Sequence, residues 1–212
     1  MSQTWSMEAV RRAFAGRTAG IYGARGVFAV LVPLVERDGE LCLLFEVRAQ
    51  DMRGQPGEVC FPGGRVEPGE DPGDAALRET FEEIGIPPAA VERIAEMDAI
   101  QDVADRVIYP FLGRVDEAAV REMKLNRAEV GEVFHVPLTT LFAAEPYVYT
   151  APVVTQIGED FPYEKIGFPD GKYRWGKGRA EVPIFEHEAH TIWGLTARIV
   201  RQLLDILREQ AP

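Results

Sequence analysis

The sequence predicts a single α/β domain in which a mixed β-sheet is flanked by helices. Three observations carry that reading. Two β-rich runs, 27–35 and 41–47, flank an Asp38-Gly39 pair, a strong hairpin-turn signal. One helix, 72–84, has its start and its stop written in local residue chemistry. A last helix, near 192–208, carries Ile192, Leu195, Ile199, Leu203 and Ile206 at helical spacing.

The elements follow in chain order. Residues 6–15 predict a short amphipathic helix with Ser6 as its N-cap and Gly16 as its stop. Glycines at 16, 20, 23 and 26 mark a loop, so 1–25 is expected to be an N-terminal helical extension and 26–210 the main domain. After the hairpin, a short strand (EVCF) ends at Pro62-Gly63-Gly64. The helix 72–84 is followed by a Pro-Pro loop and a strand at 107–115. Residues 132–138 read as a strand running into a short helix, LTTLF. The Pro-, Gly- and aromatic-rich stretch 145–190 predicts loops and short strands, and Trp193 is expected in the core.

Composition narrows the function. The net charge of −11 over 212 residues disfavours a nucleic-acid binder, which needs a basic footprint. The longest apolar run, 27–35, has nine residues with Pro33 inside it, far short of a membrane span. Glu8, Arg11 and Arg12 interrupt the N-terminus, so no signal peptide is expected and the expected location is the cytoplasm. Cys42 and Cys60 lie in apolar runs and read as two reduced thiols.

The most informative stretch runs from Gly64 to Ile86. Asp71 suits the N-cap, Pro72 the first helical position and Asp74 a capping-box-like start, while Gly85 and Pro87-Pro88 end the helix. A helical wheel puts Leu77, Thr80, Phe81 and Ile84 on the expected core face and Glu79, Glu82 and Glu83 opposite. Carboxylates at i, i+3 and i+4 repel one another by a few tenths of a kcal/mol per pair, which a solvated surface tolerates. The same trio supplies the anionic oxygens on a rigid element that hard divalent cations require. Arg78 could bond a neighbouring carboxylate and fix its rotamer.

The spacing of this string resembles the box of the Nudix hydrolases, G-x5-E-x7-R-E-U-x-E-E-x-G-U, with U a bulky aliphatic. Gly64, Glu70, Arg78, Glu79, Glu82, Glu83, Gly85 and Ile86 match, and Thr80 stands where an aliphatic is usual. A chance match has odds on the order of one in a million. The resemblance implies an α/β/α sandwich and hydrolysis of a nucleoside diphosphate linked to another group, with Mg²⁺ or Mn²⁺. It implies that Glu79 and Glu83 are the main metal ligands, that Glu82 is a third ligand or the base, and that Arg78 orients Glu79. Glu70 and the Gly63 and Gly64 backbone complete the metal loop. The general base lies either in the box or on a later loop, where Glu129 and Glu132 are the candidates.

A narrower resemblance covers Val47 to Gly64, which is similar to the motif of the coenzyme A pyrophosphatase branch. Arg48, Arg53, Gly57, Val59, Phe61, Pro62, Gly63 and Gly64 match, while Ala49 replaces Ser, Gln55 replaces His and Met52 replaces Leu. It implies coenzyme A as substrate, with Arg48, Arg53, Gly64 and Arg65 as substrate-binding candidates. Forked guanidinium donors suit an additional phosphate; the lesser alternative is that Arg48 pairs with a surface carboxylate. Another small-molecule diphosphate (a nucleotide sugar, a dinucleotide or an oxidised nucleotide) stays open, as do a ligand-binding regulator and a homodimer. The segment 163–179 interleaves Tyr173 and Trp175 with five basic groups. It reads as a flap for adenine and phosphate, or as a hairpin with snorkelling cations.

Overall fold

The computed structural model describes residues 5–17 and 19–210; residues 1–4 and 18 of the expected N-terminal extension lie outside them. The helix of that extension, α1 (Met7–Phe14), is capped by Ser6, whose hydroxyl accepts from the Ala9 N–H, and it buries none of its residues. The hairpin of β1 (Gly26–Arg37) and β2 (Glu40–Arg48) turns on Asp38 and Gly39, both at positive φ, as the primed turns matching strand twist demand. There follow β3 (Val59–Cys60), β4 (Gly63–Arg65) and the acidic helix α2 (Pro72–Ile84). Then come β5 (Val91–Glu96), β6 (Ile100–Gln101), β7 (Arg106–Val115), α3 (Glu117–Arg121), β8 (Val130–Pro137) and α4 (Leu138–Ala143). The chain ends with β9 (Tyr147–Val154), β10 (Lys177–His187), β11 (His190–Trp193) and α5 (Gly194–Gln210).

Eight strands form one mixed sheet with the spine β3-β2-β1-β7-β5, in which β4 joins β1, β6 joins β7 and β8 joins β2. Only the β1–β7 pair is parallel. Because strand side chains alternate between faces, β2 sends Leu43 and Phe45 into one core and Leu44 into another. The first core is closed by α5 through Ile199, Val200, Leu203 and Leu204. The second is closed by α2 through Ala75, Ala76 and Ile84. This is the three-layer α/β/α arrangement expected, and the continuous apolar run of β2 reflects burial on both faces.

Four local expectations are corrected. Residues 145–190 are not loops and short strands alone: β9, β10 and β11 make a separate three-stranded sheet. Strands β5 and β6 were not foreseen, and five of the six residues of β5 are exposed. Trp193 is on the surface, as is Ile206; the stripe of α5 that is buried runs through Thr196, Ala197, Ile199, Val200, Leu203 and Leu204. On α2 the wheel misplaced two residues, since Phe81 is 52% exposed whereas Glu83 is 5% exposed.

The C-terminus of α2 offers a test. Gly85 is left-handed at φ 75°, its N–H bonds the Phe81 carbonyl, and a Cβ would lie 2.9 Å from the Lys124 nitrogen. Gly85→Ala therefore combines αL strain with backbone contact, about 1–3 kcal/mol, and should lower Tm by roughly 2–12 °C in differential scanning calorimetry.

Candidate active site

The site begins with two glycines. A Cβ on Gly63 would strike the Ala29 carbonyl and Val30, and one on Gly64 would fall within the Glu79 carboxylate. Only bare backbone can pass between β1 and α2 here. That close approach brings the Gly63 N–H to Glu83, where it donates to Oε2 at 2.8 Å.

Arg78 is the centre of the arrangement. Its Nε and Nη2 form a fork on Glu70, at 2.8 and 3.1 Å, and Nη1 donates to Glu79 at 2.8 Å and to Glu82 at 3.3 Å. Nη2 also donates to the Arg65 carbonyl at 3.0 Å, tying the helix to β4. The guanidinium holds the Glu70 carboxyl below its ordinary range, and Glu70 also accepts the Glu67 N–H at 2.8 Å. Burial pushes Glu79 up despite Arg78. The expected orienting role of Arg78 on Glu79 thus has a direct bond behind it.

Behind Glu83 lies a residue that the sequence reading missed. Glu46 of β2 is 1% exposed, accepts the Cys60 thiol on Oε1 at 3.2 Å, and among the described residues its Oε2 has no partner. Burial, with the Glu46 charge second, pushes Glu83 up to about 9; burial likewise pushes Glu46 up to about 7. Burial also drives the Cys60 thiol upward. The signal was available, because Glu46 interrupts an otherwise apolar strand run, and strand alternation places it with Leu44 on the α2 side.

The other candidates divide. Glu129 acts electrostatically on Glu46, Glu79 and Glu83, and its carbonyl accepts the Ala49 N–H at 2.7 Å. Glu132 is drawn away, paired at 2.9 Å with His190, which stacks on Phe134. Arg48 donates from Nε to the Gly54 carbonyl at 3.3 Å, closing the loop 48–58 rather than pairing with a carboxylate. Arg53 is exposed on that loop. Arg65 lies over the Phe28 ring at 5.7 Å and donates to the Arg25 carbonyl. In the segment 163–179, Tyr173 and Trp175 pack edge to face against each other, and Trp175 donates to the Tyr163 hydroxyl. These rings are joined to one another on a 3-10 turn, Tyr163–Ile166, and the loop that precedes β10 at Lys177.

Among the described residues, no three His, Cys, Asp or Glu side chains converge as a metal-ligand cage. Glu79 and Glu82 are tied to Arg78 and Glu83 to Gly63, yet no hydrogen bond occupies Glu79 Oε2 or Glu83 Oε1. The donor set is all oxygen, and among the described residues the buried Glu46 leaves Oε2 without a hydrogen-bond partner beside Glu83, both of which fit a hard divalent ion.

Two outcomes follow from this geometry. A carboxyl whose folded pKa is raised stabilises the fold at low pH and loses that contribution as pH climbs through the folded value. Thermal stability measured in chelator should therefore fall between about pH 5 and pH 9, and Glu83→Gln should flatten the fall. Stability that rises over that range would count against the buried pair. Second, Gly64→Ala displaces Glu79 and should reduce turnover at least about tenfold while far-UV circular dichroism stays unchanged.

The family model for the NUDIX domain matches residues 26–156. A mouse protein named peroxisomal coenzyme A diphosphatase NUDT7 is 34% identical over 87% of this chain and 72% of its own length. The human mitochondrial coenzyme A diphosphatase NUDT8 is 32% identical over 93% of this chain and 76% of its own. Among solved structures, a C. elegans Ap4A hydrolase complex aligns with a TM-score of 0.47 at 22% identity, covering 54% of this chain and 83% of that one. No helix among the described residues is long and apolar enough to cross a membrane. On the family match and on these two relatives, the chain belongs to the Nudix family.

Proposed function

We propose that the chain is a diphosphatase that cleaves coenzyme A, or its derivatives, to 4′-phosphopantetheine and adenosine 3′,5′-bisphosphate, with Mg²⁺ or Mn²⁺. The observation that carries this reading is the Arg78 fork, which gathers Glu70, Glu79 and Glu82 at the spacing of the family's box. The names of the relatives, coenzyme A diphosphatases, supply the substrate class. Residues 26–210 are read as the catalytic unit and 1–25 as an extension. The free thiols Cys42 and Cys60 suit a reducing compartment such as the cytoplasm.

In this reading Glu79 and Glu83 hold the cation, with the Gly63 backbone and Glu82 at its margin. A bound divalent ion would neutralise the diphosphate oxygens and acidify the attacking water. Arg78 keeps the Glu79 rotamer fixed while the substrate enters. Glu82, half exposed, or Glu129, beside the cluster, accepts the proton of the water that attacks one phosphorus. The P–O bond from that phosphorus to the bridging oxygen breaks, and its electron pair stays on the oxygen, which departs with the other phosphate. A panel of diphosphates with products weighed by mass spectrometry tests this: coenzyme A should yield the two named products. Faster turnover of a nucleotide sugar or a dinucleotide would replace the substrate, and no turnover of any compound would replace the enzyme reading.

The loop geometry selects the residue to mutate for specificity. Arg48 shapes its loop, which leaves the exposed Arg53 as the grip on the 3′-phosphate in this reading. One charge-assisted contact of about 1.5–3 kcal/mol corresponds to roughly a ten- to hundredfold preference for coenzyme A over its 3′-dephospho form. Arg53→Ala should abolish that preference and leave hydrolysis of the dephospho compound unchanged. Equal loss on both compounds would contradict the assignment.

A further inference from the structure

Glu46 stands outside the Arg78 fork, and the fold gives it a partner for only one of its two oxygens. Strand alternation puts it with Leu44 on the α2 side of β2, where its partners across the ladder are Cys60 of β3 and Val133 of β8. At 1% exposure, Oε1 accepts the Cys60 thiol at 3.2 Å, and Oε2 has no donor among the described residues. Arg48 acts on it through charge, while the Arg48 Nε donates to the Gly54 carbonyl instead. The thiol does not account for the carboxylate. Cys42, the other cysteine, rests on a backbone carbonyl, that of Glu40, at 3.9 Å. A neutral amide or hydroxyl at position 46 would also accept from Cys60 without taking a charge out of water.

One short stretch, 60–63, anchors both buried acids. Its Cys60 thiol holds Oε1 of Glu46, and its Gly63 N–H holds Oε2 of Glu83 at 2.8 Å. Each carboxylate is therefore fixed through one oxygen, which leaves Oε2 of Glu46 and Oε1 of Glu83 without a hydrogen bond among the described residues. The charges of Glu46, Glu79 and Glu129 all act on Glu83, so the four carboxylates are neighbours, brought together from β2, α2 and the loop before β8.

We propose that Glu46 is a further ligand of the divalent cation, supplied by β2 in addition to the ligands of α2. The assignment rests on the reading that Glu79 and Glu83 hold that cation. A hard divalent ion takes six or more oxygens, and its affinity rises with the number of charged ones. A cation there gives Oε2 of Glu46 the partner it lacks and offsets the charge that Glu46 and Glu83 bury together. Since β2 lies inside the main sheet and α2 closes the core on it, ligands from both tie the ion to two rigid elements rather than to one helix face.

Mn²⁺ titrated into the metal-free full chain, with free ion followed by electron paramagnetic resonance, tests this apart from turnover. Glu46→Gln keeps an acceptor for Cys60, so its Tm in chelator should match or exceed that of the wild type. It should bind Mn²⁺ at least about tenfold more weakly. Glu46→Asp keeps the charge but draws the carboxylate back by one methylene. It should weaken binding by about tenfold as well, which a role through charge alone would not produce. Cys60→Ala removes the thiol and should leave Mn²⁺ affinity at the wild-type level. Unchanged affinity in Glu46→Gln or in Glu46→Asp overturns the proposal. So does a loss in Cys60→Ala equal to that in Glu46→Gln, because Glu46 then serves only to seat the thiol. Glu83→Gln separates the proposal from the reading beneath it. Binding lost there but kept in Glu46→Gln removes Glu46 alone, whereas binding kept in both removes the cation site itself.

Discussion

The gathering of Glu70, Glu79 and Glu82 depends on one guanidinium. Glu70, Glu79 and Glu82 are like charges that would spread apart in water, and Arg78 binds all three while reaching the Arg65 carbonyl as well. Four acceptors on one planar fork cannot be matched by the ammonium of a lysine. The sequence spacing follows from this geometry. Glu79 and Glu82 lie one and four residues beyond Arg78 on the same helix, and Glu70 comes from the loop ahead of the N-cap. Gly63 and Gly64 are the other half of the constraint, since any side chain there would occupy the space of β1 or of Glu79.

The site is also kept at a cost in charge burial. Glu46 and Glu83 lie together out of water, with a thiol and one backbone N–H as their hydrogen-bond donors. A protein selected for stability alone would place an apolar pair there. Retaining two carboxyls makes sense where a positive ion completes the balance, because burial raises both acids. The strain is local, because α2 is otherwise well anchored by Asp71 at its start, Gly85 at its end and the Ala75, Ala76 and Ile84 contacts.

What could be read from the sequence was what local chemistry decides. The bounds of α2 were legible because Asp71, Pro72, Gly85 and Pro87 act within a turn of their own positions. The β1–β2 hairpin was legible from Asp38-Gly39. The burial of Glu83 was not, since it is set by partners twenty residues upstream and farther, Gly63 and Glu46, which no helical wheel contains. Phe81 shows the matching limit: a wheel groups it with Thr80 and Ile84, which are fully buried, yet it is itself exposed. The strands β9 and β10 were hidden by Pro152, Pro183 and the glycines between them, and Trp193 by the assumption that a large aromatic beside an amphipathic helix must point inward. At the acidic cluster, the spacing of Glu70, Arg78, Glu79 and Glu82 reflects the bonds among them, whereas Glu46 comes in from a strand that no such spacing marks.

The claim that Arg78 organises a cation site is tested most directly by Mn²⁺ binding to Arg78→Gln, followed by electron paramagnetic resonance. On charge alone, removing a cation beside carboxylates should tighten binding of a divalent ion. If Arg78 instead holds Glu79 and Glu82 in place, binding should weaken by about tenfold or more, as loss of an outer partner of metal ligands does. Unchanged or tighter Mn²⁺ binding would contradict the account.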